Sequence, residues 1–242
     1  MFIFRKLFFV ALLLVGVFLG ASAVLESFAE SQLSTGVART LGLQVRPAVE
    51  IDAFPIILRV MQGRIPRVRV VAHDFTLEHL EIAELTLDMQ NVHANVDVLI
   101  RSDRFDLLVE KGEGSARITE DSVNAYLVHQ GIDAHVTFRP DGTVFVRADR
   151  VVAGRTRRFE ATGRLSLNVR TLTFKPGRVL VDGQSTSVAA LAARARRETA
   201  FAVQIPKLPG NILPSEVVVT QGEMTLVANL DHYELRLNKA GG

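Results

Sequence analysis

An alternation of apolar and polar residues constrains this chain more than any other feature of its sequence. From Arg67 onward, apolar side chains occupy every second position in runs such as 68–70, 85–89 and 92–100. A period of two puts those side chains on one face of a β-strand and the polar residues between them on the other. Because strands with one buried face are typical of antiparallel sheets, we predict an antiparallel sheet with one face toward the core.

The alternation changes phase between Met89 and Val92. The apolar residues before this point fall on odd positions and those after it on even positions. Both runs can serve one face only if a bulge or a tight bend separates them. We therefore predict such a feature here, and a strongly curved sheet would require it.

The same alternation predicts more strands toward the C-terminus, with turns at pairs that contain Gly or Pro. The strands are expected at Ile132–Phe138, Thr143–Val152, Phe159–Val169, Arg178–Val181, 215–220, 223–230 and 232–237, and the turns at Pro140-Asp141-Gly142, Pro176-Gly177 and Gln221-Gly222.

Four segments carry helical signals, namely 26–41, 54–63, 119–130 and 187–199. Pro55 suits a first helical position, Gly63 suits a helix end, and Thr119 can cap the third helix. The inner faces of the last two helices would hold Val123, Tyr126 and Leu127, and Val188, Leu191, Ala192 and Ala195, respectively. Helices placed between groups of antiparallel strands indicate an α+β fold and not a doubly wound one.

The first 25 residues are typical of an export or anchoring signal. Arg5 and Lys6 precede a run from Leu7 to Leu25 without charge, and its nineteen residues would span about 28 Å of a ~30 Å hydrocarbon core. Ala21-Ser22-Ala23 also fits a signal-peptidase site, so cleavage near Ala23 and retention as a transmembrane helix both stay open. The positive flank predicts a cell-membrane location with residues 26–242 on the periplasmic, extracytoplasmic side.

Charge and cysteine content exclude several classes of protein. Arg5 and Lys6 account for the whole excess of 28 Lys and Arg over 26 Asp and Glu, so the exported part gives no support to nucleic-acid binding. The absence of Cys excludes disulfides, thiolate metal sites and a Cys nucleophile. None of the common nucleophile, phosphate-loop, zinc or dinucleotide motifs occurs, and the six His lack ligand spacing. We therefore expect no catalytic residue, no cofactor and no metal.

Charge is nevertheless segregated along the chain. Residues 73–121 contain twelve Asp or Glu and four Arg or Lys, a local net of −8, whereas residues 139–178 contain three acids and ten bases, a net of +7. Arg155, Arg157 and Arg158 form the densest basic group, and arginine can grip two phosphate oxygens at once. These three are candidate headgroup ligands. The alternative is that the acidic and basic regions neutralise each other across the sheet.

Four segments of the exported part form a recognisable series, namely "VEIDAFPIILRVMQGRI", "LEIAELTLDMQNVHA", "GSARITEDSVNAYL" and "IPKLPGNILPSEVVVTQGEM". They resemble the LmeA-like phospholipid-binding family of bacterial envelope proteins, and the resemblance covers roughly residues 26–237. The Phe54-Pro55 helix closed by Gly63-Arg64 is its most specific part. We expect a hydrophobic signal or anchor at 1–25, a lipid-binding domain at 26–237 and a short flexible tail at 238–242.

The resemblance implies a fold related to the tubular lipid-binding domains, in which a long curved antiparallel sheet wraps helices and leaves an apolar groove for acyl chains. The residues expected to line that groove are Phe54, Ile57, Leu58, Met61, Val68, Val70, Leu85, Leu87, Val96 and Val98. The implied ligand is a phospholipid, the implied setting is the membrane, and envelope biosynthesis proteins are the expected partners. Lipid transfer and lipid presentation are both open.

Two alternatives compete with this interpretation. The groove residues would fill an ordinary core if no space were left for a ligand, and the chain would then be a tethered structural or adaptor domain. An enzyme would need convergent polar groups in a pocket, which the sequence does not place.

Overall fold

Long antiparallel strands dominate the fold. The computed structural model describes residues 31, 34, 38, 47–52, 63–94, 104–152, 154–185, 189–206, 208 and 212–238. The strands are β1 (Ala48–Asp52), β2 (Arg64–Leu77), β3 (Leu80–Ala94), β4 (Arg104–Thr119), β5 (His135–Phe138), β6 (Val144–Val152), β7 (Arg155–Asn168), β8 (Thr171–Val181), β9 (Phe201–Gln204), β10 (Glu216–Thr220), β11 (Glu223–Asn229) and β12 (Tyr233–Asn238), and the helices are α1 (Glu120–His129) and α2 (Ala189–Thr199).

The strands form two sheets. In the seven-stranded sheet the order is β1-β2-β3-β4-β11-β10, and β12 also pairs with β4. The five-stranded sheet has the order β5-β6-β7-β8-β9. Neighbouring strands whose register is resolved run antiparallel. The α+β, antiparallel part of the predicted fold class is therefore confirmed.

The predicted break in β3 is present. Met89 and Val92 are both almost fully buried, and Asn91 between them has a φ of 51°. A single residue in the left-handed region adds the extra step that returns Val92 to the buried side. The sequence-based prediction of a bulge or bend between these residues is confirmed.

The chain divides into two compact units. Unit 1 comprises residues 1–71, 87–112 and 230–242, and unit 2 comprises residues 72–86 and 113–229. Strands β2, β3 and β4 each contribute residues to both units, whereas the five-stranded sheet, α1 and α2 belong to unit 2.

Helix α1 holds both edges of the five-stranded sheet in unit 2. The Asn124 side chain donates to the Val136 carbonyl of β5 at 2.9 Å and accepts from the Val136 N–H at 2.7 Å. The Tyr126 hydroxyl donates to the Gln204 carbonyl of β9 at 2.9 Å. Since β5 and β9 are the two edge strands, this sheet curls around the helix.

The predicted start of α1 fits the structure. Thr119 is the N-cap of α1 and accepts a hydrogen bond from the Ser122 N–H at 3.2 Å, which satisfies one of the free donors of the first turn. Val123, Tyr126 and Leu127 are buried on its inner face, as expected. In α2, Ala195 is buried and Leu191 and Ala192 are half-buried; Val188 lies outside the described residues.

The prediction of a turn at Pro176-Gly177 is wrong. These residues lie within β8, where the register with β7 shifts between Thr162 and Gly163. Pro176 is opposite Gly163 and Arg178 is opposite Thr162, so Gly177 is the extra residue of a bulge, and proline within a sheet is tolerated at bulges. The predicted turns at Pro140-Asp141-Gly142 and Gln221-Gly222 are confirmed, and both glycines have positive φ.

Three strands were absent from the sequence-based prediction, namely β1, β4 and β9. The predicted N-terminal hydrophobic segment and the helix before Gly63 lie outside the described residues. Among the residues that are described, no helix is long and apolar enough to cross a membrane.

Candidate functional site

Unit 1 has a sheet face made of apolar side chains. Val68 and Val70 project from β2 and are each only 2% exposed. Val49 of β1 lies directly opposite Val70 and is buried as well. The other buried apolar residues described in this unit's strands and adjoining turn are Ile65, Leu87, Met89, Val92, Val109 and Leu230. We call Val68, Val70, Leu87, Met89, Val92 and Val109 the apolar face.

The opposite face of the same strands carries charged pairs. The Arg67 guanidinium bonds both carboxylate oxygens of Asp88, with Nε 3.1 Å from Oδ1. The His93 Nε2 lies 2.8 Å from Glu110 Oε1. Exposed pairs contribute little stability, about 0–1 kcal/mol each, but they mark which side of the sheet meets water. The period of two thus separates an apolar side from a charged side in unit 1.

The His93 contact has an electrostatic consequence. The hydrogen bond from His93 lowers the pKa of Glu110 below its ordinary value of 4.5, with a smaller opposing effect of burial. Glu110 therefore remains ionised into more acidic solution than a free glutamate, and the pair ties β3 to β4 on the charged side.

Gly112 permits a close approach of three chain segments in unit 1. A Cβ at this position would lie 2.9 Å from the Asp88 carbonyl oxygen and 3.1 Å from the Leu230 Cβ. The Gly112 carbonyl accepts from the Leu230 N–H at 2.8 Å, and its N–H donates to Asp231 Oδ1 at 3.0 Å. A larger residue would push Leu230 away from its buried position.

The structure places the predicted groove residues as follows. Val68, Val70 and Leu87 belong to the apolar face of unit 1, and Leu85 is 4% exposed but belongs to unit 2. Six others lie outside the described residues, namely Phe54, Ile57, Leu58, Met61, Val96 and Val98. Gly63, the residue predicted to end the apolar helix, has a φ of 64°, which suits a helix-closing glycine.

Val109 and Leu230 are among the members of this region that the sequence-based prediction did not name. Val109 and Leu230 are both fully buried. Val109 stands in "LLVEKGEG", where charged residues and glycines hide the alternation, and Leu230 stands in a turn between β11 and β12. Leu230 continues the alternation of Met224, Leu226 and Ala228 in the predicted strand 223–230, but nothing in the sequence indicates that it lies against Gly112.

The three candidate headgroup arginines lie along one strand of unit 2. Arg157 Nη1 is 3.1 Å from Asp182 Oδ2, and Arg158 Nε is 3.3 Å from Asp149 Oδ1. Arg155 is exposed and forms no ion pair with any described residue. Asp149, within the basic region, and Asp182, four residues beyond it, therefore pair with two of the three arginines.

The described residues contain no group of three His, Asp or Glu positioned to hold a metal ion.

Comparison with known proteins decides the family. The model of the LmeA-like phospholipid-binding family matches residues 20–229 of the 242-residue chain. The chain belongs to the LmeA-like phospholipid-binding family. The resemblance noted from its segments is therefore confirmed. No curated protein and no solved structure compared with the chain matches it significantly.

The family match includes both units of this LmeA-like protein. It covers the apolar face in unit 1 and the curled sheet in unit 2. Family membership supports a phospholipid as the ligand.

Proposed function

We propose that this protein is a non-enzymatic phospholipid-binding protein of the bacterial cell envelope, and that acyl chains lie against the apolar face of unit 1. The observation that carries the proposal is the family match over residues 20–229. The one-sided burial of β2, β3 and β4 in unit 1 supports the location of the acyl chains, because the six residues of the apolar face are buried whereas the pairs Arg67–Asp88 and His93–Glu110 lie on the other side of the same strands.

Energetics indicate how such a site would select its lipid. Burying ~30 methylenes at about 0.8 kcal/mol each gives roughly 24 kcal/mol relative to water, above the practical ceiling of about 18–21 kcal/mol. The relevant reference is the bilayer, where the chains are already out of water, so exchange is close to balanced. Small terms at the headgroup, of about 1 kcal/mol per basic residue, then decide which lipid is held.

The proposed setting follows from the first 25 residues. Their uncharged run after Arg5 and Lys6 favours export, with the two units on the extracytoplasmic side of the cell membrane. Proximity to the bilayer would raise the effective concentration of the protein at its lipid source. Transfer of lipid, or its presentation to envelope biosynthesis proteins, is the role we propose for the bound state.

The experiment compares the same substitution on the two sides of β2. The full-length chain, Val70→Trp and Arg69→Trp are purified, and the phospholipid retained by each is measured by mass spectrometry of an organic extract. Val70 is buried and Arg69 is exposed, so only the first tryptophan occupies the space proposed for acyl chains. We expect phospholipid with the parent and Arg69→Trp, and much less with Val70→Trp.

Stability measurements separate a lipid site from a filled core. Overpacking a solid core costs about 1–3 kcal/mol of unfolding free energy. A parent chain without any phospholipid, together with such a loss in Val70→Trp, would contradict the proposal and favour the structural or adaptor role.

A further inference from the structure

A group of basic residues lies exposed on the outer side of β7 and β8 in unit 2. Arg164, Lys175 and Arg178 are all exposed, and none forms an ion pair with a residue in the described part of the chain. Arg164 and Lys175 are direct cross-strand partners. Side chains in this position have Cβ atoms about 4.5–5.5 Å apart, and like charges there repel each other. We call these three residues the basic patch.

The bulge in β8 creates the patch. Phe174 and Val179 are both buried on the inner side, although five positions separate them. The extra residue at Pro176-Gly177 changes the parity, so Lys175 and Arg178 both face outward. In a regular strand these two residues would point to opposite faces. The bulge thus places Arg178 on the same face as Arg164 and Lys175, which already repel each other.

The surroundings of the patch add positive charge. The Arg139 guanidinium lies 5.1 Å from the centre of the Phe145 ring, and Phe145 is opposite Thr162, which is itself opposite Arg178. Three outward-facing cross-strand pairs of β7 and β8 contain the patch, namely Thr162–Arg178, Arg164–Lys175 and Ser166–Thr173. None of their residues is acidic.

The carboxylate closest to the patch along β7 is that of Glu160, which faces outward on the cross-strand pair next to Thr162–Arg178. Glu160 also lies opposite Arg147, and it forms no ion pair with a described residue. Asp141 accepts hydrogen bonds from the N–H and hydroxyl of Thr143.

We propose that the basic patch docks on the surface of an anionic phospholipid bilayer. The argument is charge complementarity. The three residues of the basic patch form no ion pair with a described residue, and an anionic surface would reduce the electrostatic repulsion among them. Side chains on a sheet face stand roughly perpendicular to it, so several can reach one surface together. A bilayer is the anionic partner that fits a chain of a phospholipid-binding family. The patch is separate from the apolar face, so this inference goes beyond the proposed function.

The chain has no cysteine, so one introduced thiol can report on this face alone. A fluorophore is attached to the variant Thr173→Cys, whose position lies on the outward cross-strand pair next to Arg164–Lys175. The control carries the same fluorophore on Ala125→Cys, at an exposed position of α1. The full-length labelled chain is titrated with phosphatidylcholine vesicles, with or without phosphatidylglycerol, that carry a headgroup quencher. We expect quenching at position 173 to depend on phosphatidylglycerol and to fall with added salt, because salt screens exposed charges.

Charge variants give the quantitative test. Each basic residue near the surface strengthens binding about fivefold, so Arg164→Gln/Lys175→Gln/Arg178→Gln should raise the lipid concentration at half-quenching by roughly a hundredfold. The matched control Lys111→Gln/Arg196→Gln/Arg197→Gln removes the same charge at exposed positions elsewhere and should shift it less than about fivefold.

Three results would overturn the inference. The first is equal quenching by neutral and anionic vesicles, and the second is an equal shift in the control variant. The third is protection of position 173 by an oligonucleotide without any response to phosphatidylglycerol.

Phospholipid that co-purifies with the chain is measured in parallel. It should be unchanged in the patch variant, whereas its absence from the parent would contradict the proposed function alone.

Discussion

Gly112 shows how strongly one residue can limit the packing of unit 1. A methyl group there would meet a backbone oxygen, the Asp88 carbonyl at 2.9 Å, which cannot rotate away as a flexible side chain could. We predict that Gly112→Ala lowers the free energy of unfolding by about 1–3 kcal/mol through overpacking. Urea unfolding measures the change. The exposed neighbour Glu113→Ala is the control and should stay within about 0.5 kcal/mol of the parent.

Glu110 gives unit 1 a dependence on acid pH. Because its pKa is lowered in the folded state, its carboxylate contributes stability above the ordinary value of 4.5 and loses that contribution as the pH falls through the lowered value. We predict that the melting temperature of the parent exceeds that of Glu110→Gln above pH 4.5 and that the gap closes in more acidic solution. His93→Ala removes the same hydrogen bond and should behave alike. A gap that is constant across this range would refute the assignment.

At the scale of elements, helix α1 holds the edge strand β5 through one side chain. Asn124 satisfies both the N–H and the carbonyl of Val136. We predict that Asn124→Ala costs about 1–3 kcal/mol of unfolding free energy, because two backbone groups lose their partner, and that the Val136 amide exchanges hydrogen faster. Val128→Ala, at an exposed position of the same helix, should change neither quantity appreciably.

The β7–β8 pair offers a test of cross-strand charge that does not depend on any membrane. Arg164→Glu and Lys175→Glu should each raise the free energy of unfolding by about 0.2–1 kcal/mol, because each converts a repelling pair into an attracting one. The double variant restores like charges and should lose that gain. If the effect of the double variant equals the sum of the two single effects, the two side chains do not interact.

Elements were predictable where the alternation is regular. The bulge at Asn91 followed from the phase of the buried positions, and the cap at Thr119 followed from its residue type. Strand β4 was missed because its inward positions are Gly114, Ala116 and Ile118, and the small ones give little apolar signal. Pro176-Gly177 suggested a turn because its local preference is the same in a turn and in a bulge. Only pairing with β7 distinguishes the two.

At the scale of the molecule, the sequence predicted the family and the α+β class, but the division into two units has no marker along the chain. Strands β2, β3 and β4 continue through both units, so no linker or change in composition separates them. The predicted groove residues accordingly fall in both, with Leu85 in unit 2 and Leu87 in unit 1. Position in space, and not spacing in sequence, determines which of them can share a ligand.

The central claim is that acyl chains lie against the apolar face of unit 1, and photocrosslinking tests it most directly. The full-length chain is loaded with a phospholipid that carries a diazirine near the end of one acyl chain, irradiated and digested, and the modified residues are identified by mass spectrometry. The account predicts adducts at inward positions of residues 68–70, 87–92 and 109, and their loss in Val70→Trp. Adducts confined to exposed residues such as Arg69 or Lys175, or the absence of any adduct, would contradict it.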